Sequence, residues 1–358
     1  MTAQGKELSK RQASIERHVR LACAAFCSKR NTPLLPGAFS LRRINTAFSP
    51  AAIASAALLA ACSGNSLLNA QPAWSGSPAQ SPSLALMAQR ANGDARKHPD
   101  RLRELVVSDG SLGDLVIFDR KYNETGQIPD NGPNGDWVDA AGNAYAANPS
   151  SVDVSEYNHS GSLISTYSTG LTDPVDVTTD AKGNVYVANY GTYGATIVEY
   201  PQGSNTPSNT CNTGLNNSGA AVDGAGDVFV SGNVGSTKGA LLEFKHGLSG
   251  CSATTLAASI DFAGGLQLDN RKELVVCDQH VGVDIIPPPY SSISKTITVS
   301  GAADYLHDAL DASNTTLFIA DAGTDEVYVV SFPTGSLMDT LSQGFYEPLG
   351  VATYPFEK

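Results

Sequence analysis

Several kinds of residue are scarce in this sequence. Of its 358 residues, 3 are Met, 2 are Trp and 7% are aromatic, whereas 34 are Gly. This composition is typical of a turn-rich β-protein that is long enough to bury a sizeable core. The chain also lacks the Gly-x-Ser-x-Gly, His-Glu-x-x-His and P-loop patterns. The commonest hydrolase and nucleotide-binding functions are therefore excluded.

Positive charge is scarce beyond the N-terminal segment. Residues 1–61 hold 9 of the 23 Lys and Arg but only 2 of the 35 Asp and Glu, which leaves 14 basic and 33 acidic residues in the rest of the chain. A surface of this charge repels phosphate backbones and anionic lipid faces. We therefore expect no nucleic acid partner.

A short motif recurs from residue 100 to the C-terminus. Each copy has an Asp that opens a turn and an apolar run that ends in a small residue, such as Asn-Val-Tyr-Val-Ala at residues 184–188. The six aspartates, spaced by 39 to 46 residues, are Asp100, Asp139, Asp180, Asp223, Asp269 and Asp311. Self-similar β units of this length are typical of propeller blades. The sequence thus predicts an all-β, six-bladed β-propeller with four antiparallel strands in each blade.

The register of the units predicts how the ring closes. Within a unit, strand A precedes the Asp, strand B is the apolar run after it, strand C follows, and strand D forms the outer edge. The first unit begins at strand B, whereas residues 347–353 form a strand A with no unit of their own. We therefore expect the C-terminal strand to complete the first blade, so that residues 101–358 form one domain.

Two segments resemble the NHL-repeat pattern. They are residues 345–352, Phe-Tyr-Glu-Pro-Leu-Gly-Val-Ala, and residues 319–327, Ile-Ala-Asp-Ala-Gly-Thr-Asp-Glu-Val. The resemblance covers the whole C-terminal domain and implies a six-bladed propeller. Asp176 and His307 stand where that family prefers Gly.

A targeting signal precedes the propeller. Arg42 and Arg43 are followed by an apolar stretch of small residues that ends with Leu-Ala-Ala at residues 59–61 and then Cys62. The stretch is too short to span a bilayer comfortably, and its flanks fit a cleaved signal. It resembles a bacterial lipoprotein signal, which implies that the Cys62 thiol carries a diacylglycerol. An ordinary cleaved signal and an uncleaved anchor are the alternatives.

The segments around this signal complete the N-terminal part. Residues 62–100, rich in Ser, Pro, Ala and Gln, have no apolar period and predict a flexible tether. The lipoprotein resemblance implies anchoring in the cell envelope on the periplasmic or surface side, and Ser63 favours the outer membrane in a Gram-negative cell. Residues 1–41 lie before the signal, so either translation starts further downstream or the n-region is long.

The other cysteines fit an oxidising compartment. Cys211 and Cys251 lie 40 residues apart at the outer ends of successive blades, and they either form a disulfide or stay apart. Cys277 occupies the small-residue position that closes a strand B, which predicts a buried free thiol. Cys23 and Cys27 have the spacing of metal ligands but no second pair.

Polar residues are predicted to converge where the A strands begin and the B strands end. Four of the six positions at which strand A begins are Gly, which we expect to leave room around Asp176 and His307. Asp278 and Asp321 end B strands at the same face. One interpretation is a funnel in which Asp176, Asp278, Asp321 and His307, with His280 and Asp308 nearby, hold Ca²⁺ or a small polar ligand. The other is that the strand-ending aspartates satisfy the amides of their own turns.

The segment Pro-Asn-Gly-Asp at residues 133–136 resembles the Pro-Asn-Gly segment of gluconolactonase and regucalcin-type lactonases. That resemblance implies a divalent metal held by Asn134. The equivalent positions of the other blades hold no Glu or Asp that matches the remaining ligands of the family.

Two classes of function follow from these features. The first is a non-enzymatic binding or scaffold propeller, monomeric and lipid-anchored, whose partner is a protein or a glycan of the cell envelope. The second is a metal-dependent lactonase or lyase in which Ca²⁺ polarises a carbonyl and His307 is the base.

Overall fold

The computed structural model describes residues 105–191, 195–235 and 238–354. They form six sheets of four antiparallel strands, so the prediction of a six-bladed propeller is confirmed. No helix long and apolar enough to cross a membrane occurs in these three ranges. The signal at 42–61, Cys62 and the tether lie outside the described residues, and so do Cys23 and Cys27.

Each blade contributes one strand to each of four concentric layers. The innermost A strands are β4 (Asp136–Val138), β8 (Pro174–Thr179), β12 (Asn216–Val222), β16 (Ala263–Leu268), β20 (Tyr305–Leu310) and β24 (Pro348–Thr353). The B strands are β1 (Leu105–Asp109), β5 (Ala144–Asn148), β9 (Val185–Asn189), β13 (Val228–Val234), β17 (Leu274–Asp278) and β21 (Thr316–Asp321). The C strands are β2 (Asp114–Phe118), β6 (Asp153–Tyr157), β10 (Thr196–Tyr200), β14 (Lys238–Phe244), β18 (Gly282–Ile286) and β22 (Glu326–Ser331).

The D strands are short and mostly exposed, as expected of an outer edge. They are β3 (Glu124–Pro129), β7 (Leu163–Tyr167), β11 (Asn209–Asn212), β15 (Ala253–Thr255), β19 (Lys295–Ile297) and β23 (Leu337–Leu341). A short 3₁₀ helix, Ser249–Cys251, precedes β15. Blade 1 consists of β24 and β1–β3, and blades 2 to 6 follow in chain order.

The repeat Asp organises the turn between strands A and B. In blade 3, Oδ1 of Asp180 accepts hydrogen bonds from the amides of Lys182 and Asn184 at 2.9 Å each. The same bond to the amide four residues on occurs at Asp139, Asp223, Asp269 and Asp311. The turn also needs a left-handed residue, which is Gly183 here with φ of 80°. A carboxylate that satisfies its own turn explains why this motif recurs.

The C-terminal strand closes the ring. Strand β24 pairs antiparallel with β1, and Val351 lies opposite Val107. Successive A strands contact one another around the full circle, from β4 to β24 and back to β4. Both Val107 and Val351 are buried in the cluster between blades 6 and 1. The closure predicted from the register is therefore confirmed.

The core lies between neighbouring blades. Four of the six B strands are buried throughout, and the other two are buried except for the last residue of β13 and the first residue of β21. Each B strand contributes side chains to two of the hydrophobic clusters between blades. Cys277 is a buried free thiol in this core. At the periphery, Cys211 of β11 and Cys251 form a disulfide that links blades 3 and 4, with their Cα atoms 5.2 Å apart.

Candidate functional site

The ring has two faces, which differ in the connections they carry. We call the face where the A strands begin and the B strands end the upper face, and the face that carries the A–B turns the lower face. The A strands line the axis between the two faces. The residues able to carry chemistry lie along this axis.

A buried pair crosses the axis. Nε2 of His307 in blade 6 lies 3.2 Å from Oδ1 of Asp176 in blade 3, and both side chains are at least nine-tenths buried. Blades 3 and 6 are opposite in a ring of six, so this contact joins the two sides. Oδ2 of Asp176 accepts the amide of Ala220 in blade 4 at 2.8 Å. The structure thus brings together the two residues that replace Gly at the beginning of strand A.

The surroundings of His307 favour its charged form. Burial by itself lowers the pKa of His307, but the charge and hydrogen bond of Asp176, together with Asp136 and Asp308, raise it to about 9. His307 is therefore an imidazolium at neutral pH. An imidazolium donates protons and cannot accept one, so the predicted role of His307 as a base is not supported by this arrangement.

Asp308 lies beside this pair. Its Oδ2 accepts Nε2 of Gln267 at 3.0 Å, and the Sγ of Cys277 lies 3.7 Å from its Oδ1. Burial raises the pKa of Asp308 to about 7, although Gln267, His307 and Cys277 each lower it. Burial and the Asp308 carboxyl raise the pKa of the Cys277 thiol well above its ordinary value. Cys277 is therefore not an activated nucleophile.

Asp136 is a fourth member of the cluster that the sequence analysis missed. Burial raises the pKa of Asp136 to about 8, while His307 and the Ser108 hydroxyl lower it. Both carboxyl oxygens of Asp136 are buried. Asp136 and Asp308 both lie three residues before the repeat Asp of their blades, where blades 3, 4 and 5 hold Val, Ala and Leu. Comparison of that position among the six copies would have identified Asp136.

The glycines at the upper end of the axis lie where neighbouring blades touch, which corrects the expectation that they leave room. An added Cβ atom at Gly135 would collide with the carboxylate of Asp176, and one at Gly265 would collide with the ring of His307. At Gly350 it would collide with the carbonyl oxygen of Asn134. These positions are Gly because neighbouring blades approach too closely for a side chain.

Asp278 and Asp321 act locally, as the second interpretation expected. Asp278 accepts the amides of Asp261 and Phe262 at 2.7 and 3.0 Å. Asp321 accepts four amides, two from the loop before β20 and two from its own turn. Their lone pairs are thus used to fix the loops of the upper face. The structure does not bring them into the cluster around His307.

The remaining predicted residues are also apart from that cluster. His280 is exposed in the B–C turn of blade 5, where Nδ1 lies 3.4 Å from Asp261 and the ring packs on Phe262. Asn134 is half-buried in the loop before β4. No group of three or more His, Cys, Asp or Glu side chains in the described ranges is arranged to hold a metal ion. The proposed Ca²⁺ ligands are therefore not assembled.

A cavity occupies the lower half of the axis. Its volume is about 330 Å³, and its lining extends from His307 and Asp176 to the A–B turns at Asp139, Asp180 and Asp311. The walls between are mainly small apolar side chains from all six A strands. The central opening therefore lies at the face opposite to the one that the sequence analysis predicted.

Comparisons with known proteins support the fold and nothing finer. No family model matches the chain, and no curated protein is significantly similar to it. A chain of the nidogen/laminin complex has a TM-score of 0.57 with 14% identity, covering 70% of this chain and 97% of that one. A protein of unknown function from Bacteroides caccae has a TM-score of 0.56 with 13% identity, covering 71% and 99%.

A gluconolactonase from Xanthomonas campestris is similar over 62% of this chain and 84% of its own, with 15% identity and a TM-score of 0.47. At these identities the likeness to solved structures shows a shared fold alone. A propeller of this kind hosts many unrelated functions.

Proposed function

We propose that this protein is a lipid-anchored, extracytoplasmic binding module whose NHL-like propeller recognises a protein or a glycan of the cell envelope through its upper face. The observation that carries the proposal is the closed upper end of the axis. There the pair of His307 and Asp176 spans the axis, and the glycines allow the neighbouring blades to pack closely. Recognition at this face therefore uses the surface of the loops.

Large apolar side chains are exposed on the upper face. Of the eight exposed large hydrophobic residues in the described ranges, three lie in its B–C and D–A connections, one is the last residue of a B strand, and the other four lie on D strands. The four on the upper face are Tyr190, Val234, Val281 and Tyr346. Tyrosine is enriched at protein interfaces because it offers a large apolar body and a hydroxyl group. Tyr346, 64% exposed, is the most exposed of the set.

The negative charge of the propeller favours one kind of partner. Residues 105–354 hold 29 Asp and Glu against 8 Lys and Arg. A surface of this charge attracts basic patches and repels polyanions, and it accelerates association with a partner of opposite charge. Among proteins and glycans, a partner with a basic or neutral contact surface is favoured.

The anchor is the second part of the proposal. It rests on the resemblance of residues 42–62 to a lipoprotein signal and on the polar segment that follows. Incorporation of labelled fatty acid tests it, with Cys62→Ser as the variant. Loss of the label and release from membranes would support acylation at Cys62. A label retained by the variant would show that Cys62 is not the acylated residue.

The binding surface is tested by crosslinking and pull-down from the native envelope. Tyr346→Ala combined with Val281→Ala removes two exposed side chains of the upper face and should reduce recovery of the partner at least fivefold. The matched control is Leu337→Ala combined with Met338→Ala, on the exposed edge strand β23. Equal recovery with both pairs, or turnover of a lactone without any recovered partner, would contradict the proposal.

A further inference from the structure

The cavity in the lower half of the axis has no role in recognition at the upper face. It lies on the other side of the buried pair of His307 and Asp176, and its volume of about 330 Å³ is within the range of small-ligand sites. Its walls are largely apolar, with Val177, Ala220, Leu266, Ala309 and Val351 contributed by five different blades. A few polar groups at one end and apolar walls along the rest are typical of a pocket that orients a small molecule.

The polar end of the cavity is partly unsatisfied. His307 lines it, is nine-tenths buried, and its Nδ1 has no hydrogen-bond partner among the described residues. Asp308 and Gln267 line the same end. An imidazolium needs an acceptor for its second N–H, because an unpaired buried polar group is costly. Asp308 already accepts from Gln267 and Cys277, but its carboxyl oxygens have further lone pairs. A ligand group that accepts from His307 Nδ1 and donates to Asp308 fits both neighbours.

The charges around the cavity select the head group. The lining contains no Lys or Arg, and it includes Asp176 and Asp308 at the polar end and Asp139, Asp180 and Asp311 at the lower face. An anionic head group would be repelled by these carboxylates. A cationic head group would meet the imidazolium of His307 at the polar end. A hydroxyl group carries no charge and can accept from one neighbour while it donates to another.

We propose that this cavity is a binding site for a small, neutral, hydroxyl-bearing molecule with an apolar body, which enters from the lower face and places its hydroxyl group beside His307 and Asp308. The apolar body packs against the A strands. This site is independent of the upper-face surface, since the closed axis separates the two.

The test uses the full-length protein and three probes of one shape: cyclohexanol, cyclohexylammonium and cyclohexanecarboxylate. Saturation-transfer NMR and titration should show that cyclohexanol binds, and that each charged probe binds at least fivefold more weakly. Intermolecular NOEs should connect the cyclohexanol ring to methyl groups of Val177 and Ala309. No binding of cyclohexanol, or tighter binding of either charged probe, would overturn the proposal.

Two neighbouring alanines provide matched variants. Ala140 and Ala141 are both exposed in the A–B turn of blade 2, but only Ala140 lines the cavity. Ala140→Trp should weaken cyclohexanol binding at least tenfold, and Ala141→Trp should change it less than twofold. Ala181→Trp, in the turn of blade 3, provides a second block if Ala140→Trp does not fold. If cyclohexanol still binds to every blocking variant that folds, the proposal is also overturned. Recovery of the envelope partner should not change in any of these variants.

Discussion

The two ends of the axis are built from the same six A strands but differ in packing. At the upper end, Gly135, Gly219, Gly265 and Gly350 lie at or near the start of their strands, where neighbouring blades touch, and the pair of His307 and Asp176 spans the axis. At the lower end the strands diverge around a cavity of about 330 Å³ that reaches the A–B turns. One strand layer therefore produces a closed end, filled by a buried ion pair, and an open end. The glycines permit the close approach at the upper end.

The largest expected difference concerns two His–Asp pairs, one buried on the axis and one exposed on the upper face. Asp176→Asn leaves the buried imidazolium of His307 without its counter-ion, which should lower the free energy of unfolding by about 3 kcal/mol. Asp261→Asn removes the exposed partner of His280, and the cost should be no more than about 0.5 kcal/mol because solvent screens that pair. Chemical denaturation of both variants measures the difference.

An NMR titration sharpens this result. Loss of the Asp176 charge should bring the pKa of His307 down from about 9, because burial then opposes the charged form with less compensation. Equal losses of stability in Asp176→Asn and Asp261→Asn, with an unchanged titration of His307, would show that the axial pair is not coupled as described.

The second comparison concerns two glycines with opposite surroundings. Gly350→Ala places a methyl group against the backbone of the loop before β4 and should destabilise the fold by about 2 kcal/mol. Gly224, in the A–B turn of blade 4, has no atom within 4 Å of an added Cβ and does not need a positive φ. Gly224→Ala should change stability by less than about 0.5 kcal/mol. Thermal melts that show similar stability for both variants would mean that the upper end can expand.

A third effect is a pH dependence that arises mainly from the buried cluster on the axis. Folding raises the pKa of His307 from 6.5 to about 9, so its contribution to stability is complete below pH 6.5 and is lost as pH rises through 9. Asp308 and Asp136 keep protons to about pH 7 and 8, above their ordinary value of 3.8, so their ionisation also destabilises the fold as pH rises. All three groups act in the same direction.

The melting temperature should therefore fall by at least about 3 °C between pH 5.5 and pH 9. Asp136→Asn removes one of the three groups and should reduce this slope, as measured by calorimetry across the pH range. A melting temperature that rises with pH over this interval would contradict the ionisation states assigned to the cluster.

Much of the fold could be predicted from the sequence because its causes are local. The repeat Asp satisfies its own turn, and the apolar run after it can only be buried, so six copies imply six blades. The unmatched strand at residues 347–353 implied closure by β24. The pairing of Asp176 with His307 was only partly predictable. Both were conspicuous among glycines, but their contact across the ring depends on the opposite positions of blades 3 and 6.

Other features could not be predicted because they depend on distances between blades. Glycines at these positions are compatible with an open channel and also with close contact between blades, and only the packing of the blades distinguishes the two. From the sequence, Asp278 and Asp321 are compatible either with binding a metal ion or with accepting hydrogen bonds from loop amides. The amides that bond to them include ones from loops about 16 to 18 residues away in sequence. Asp136 was overlooked because its burial comes from its neighbours in other blades.

The sequence by itself determined the number of blades, the order of strands and the position of closure, since hydrogen bonding within a turn and the alternation of buried and exposed strands act over a few residues. The tertiary structure decided which end of the axis is closed, which carboxyl groups are buried away from solvent, and where the cavity opens. Those properties depend on how closely separate blades approach one another, and the approach is set by the packing of the entire ring.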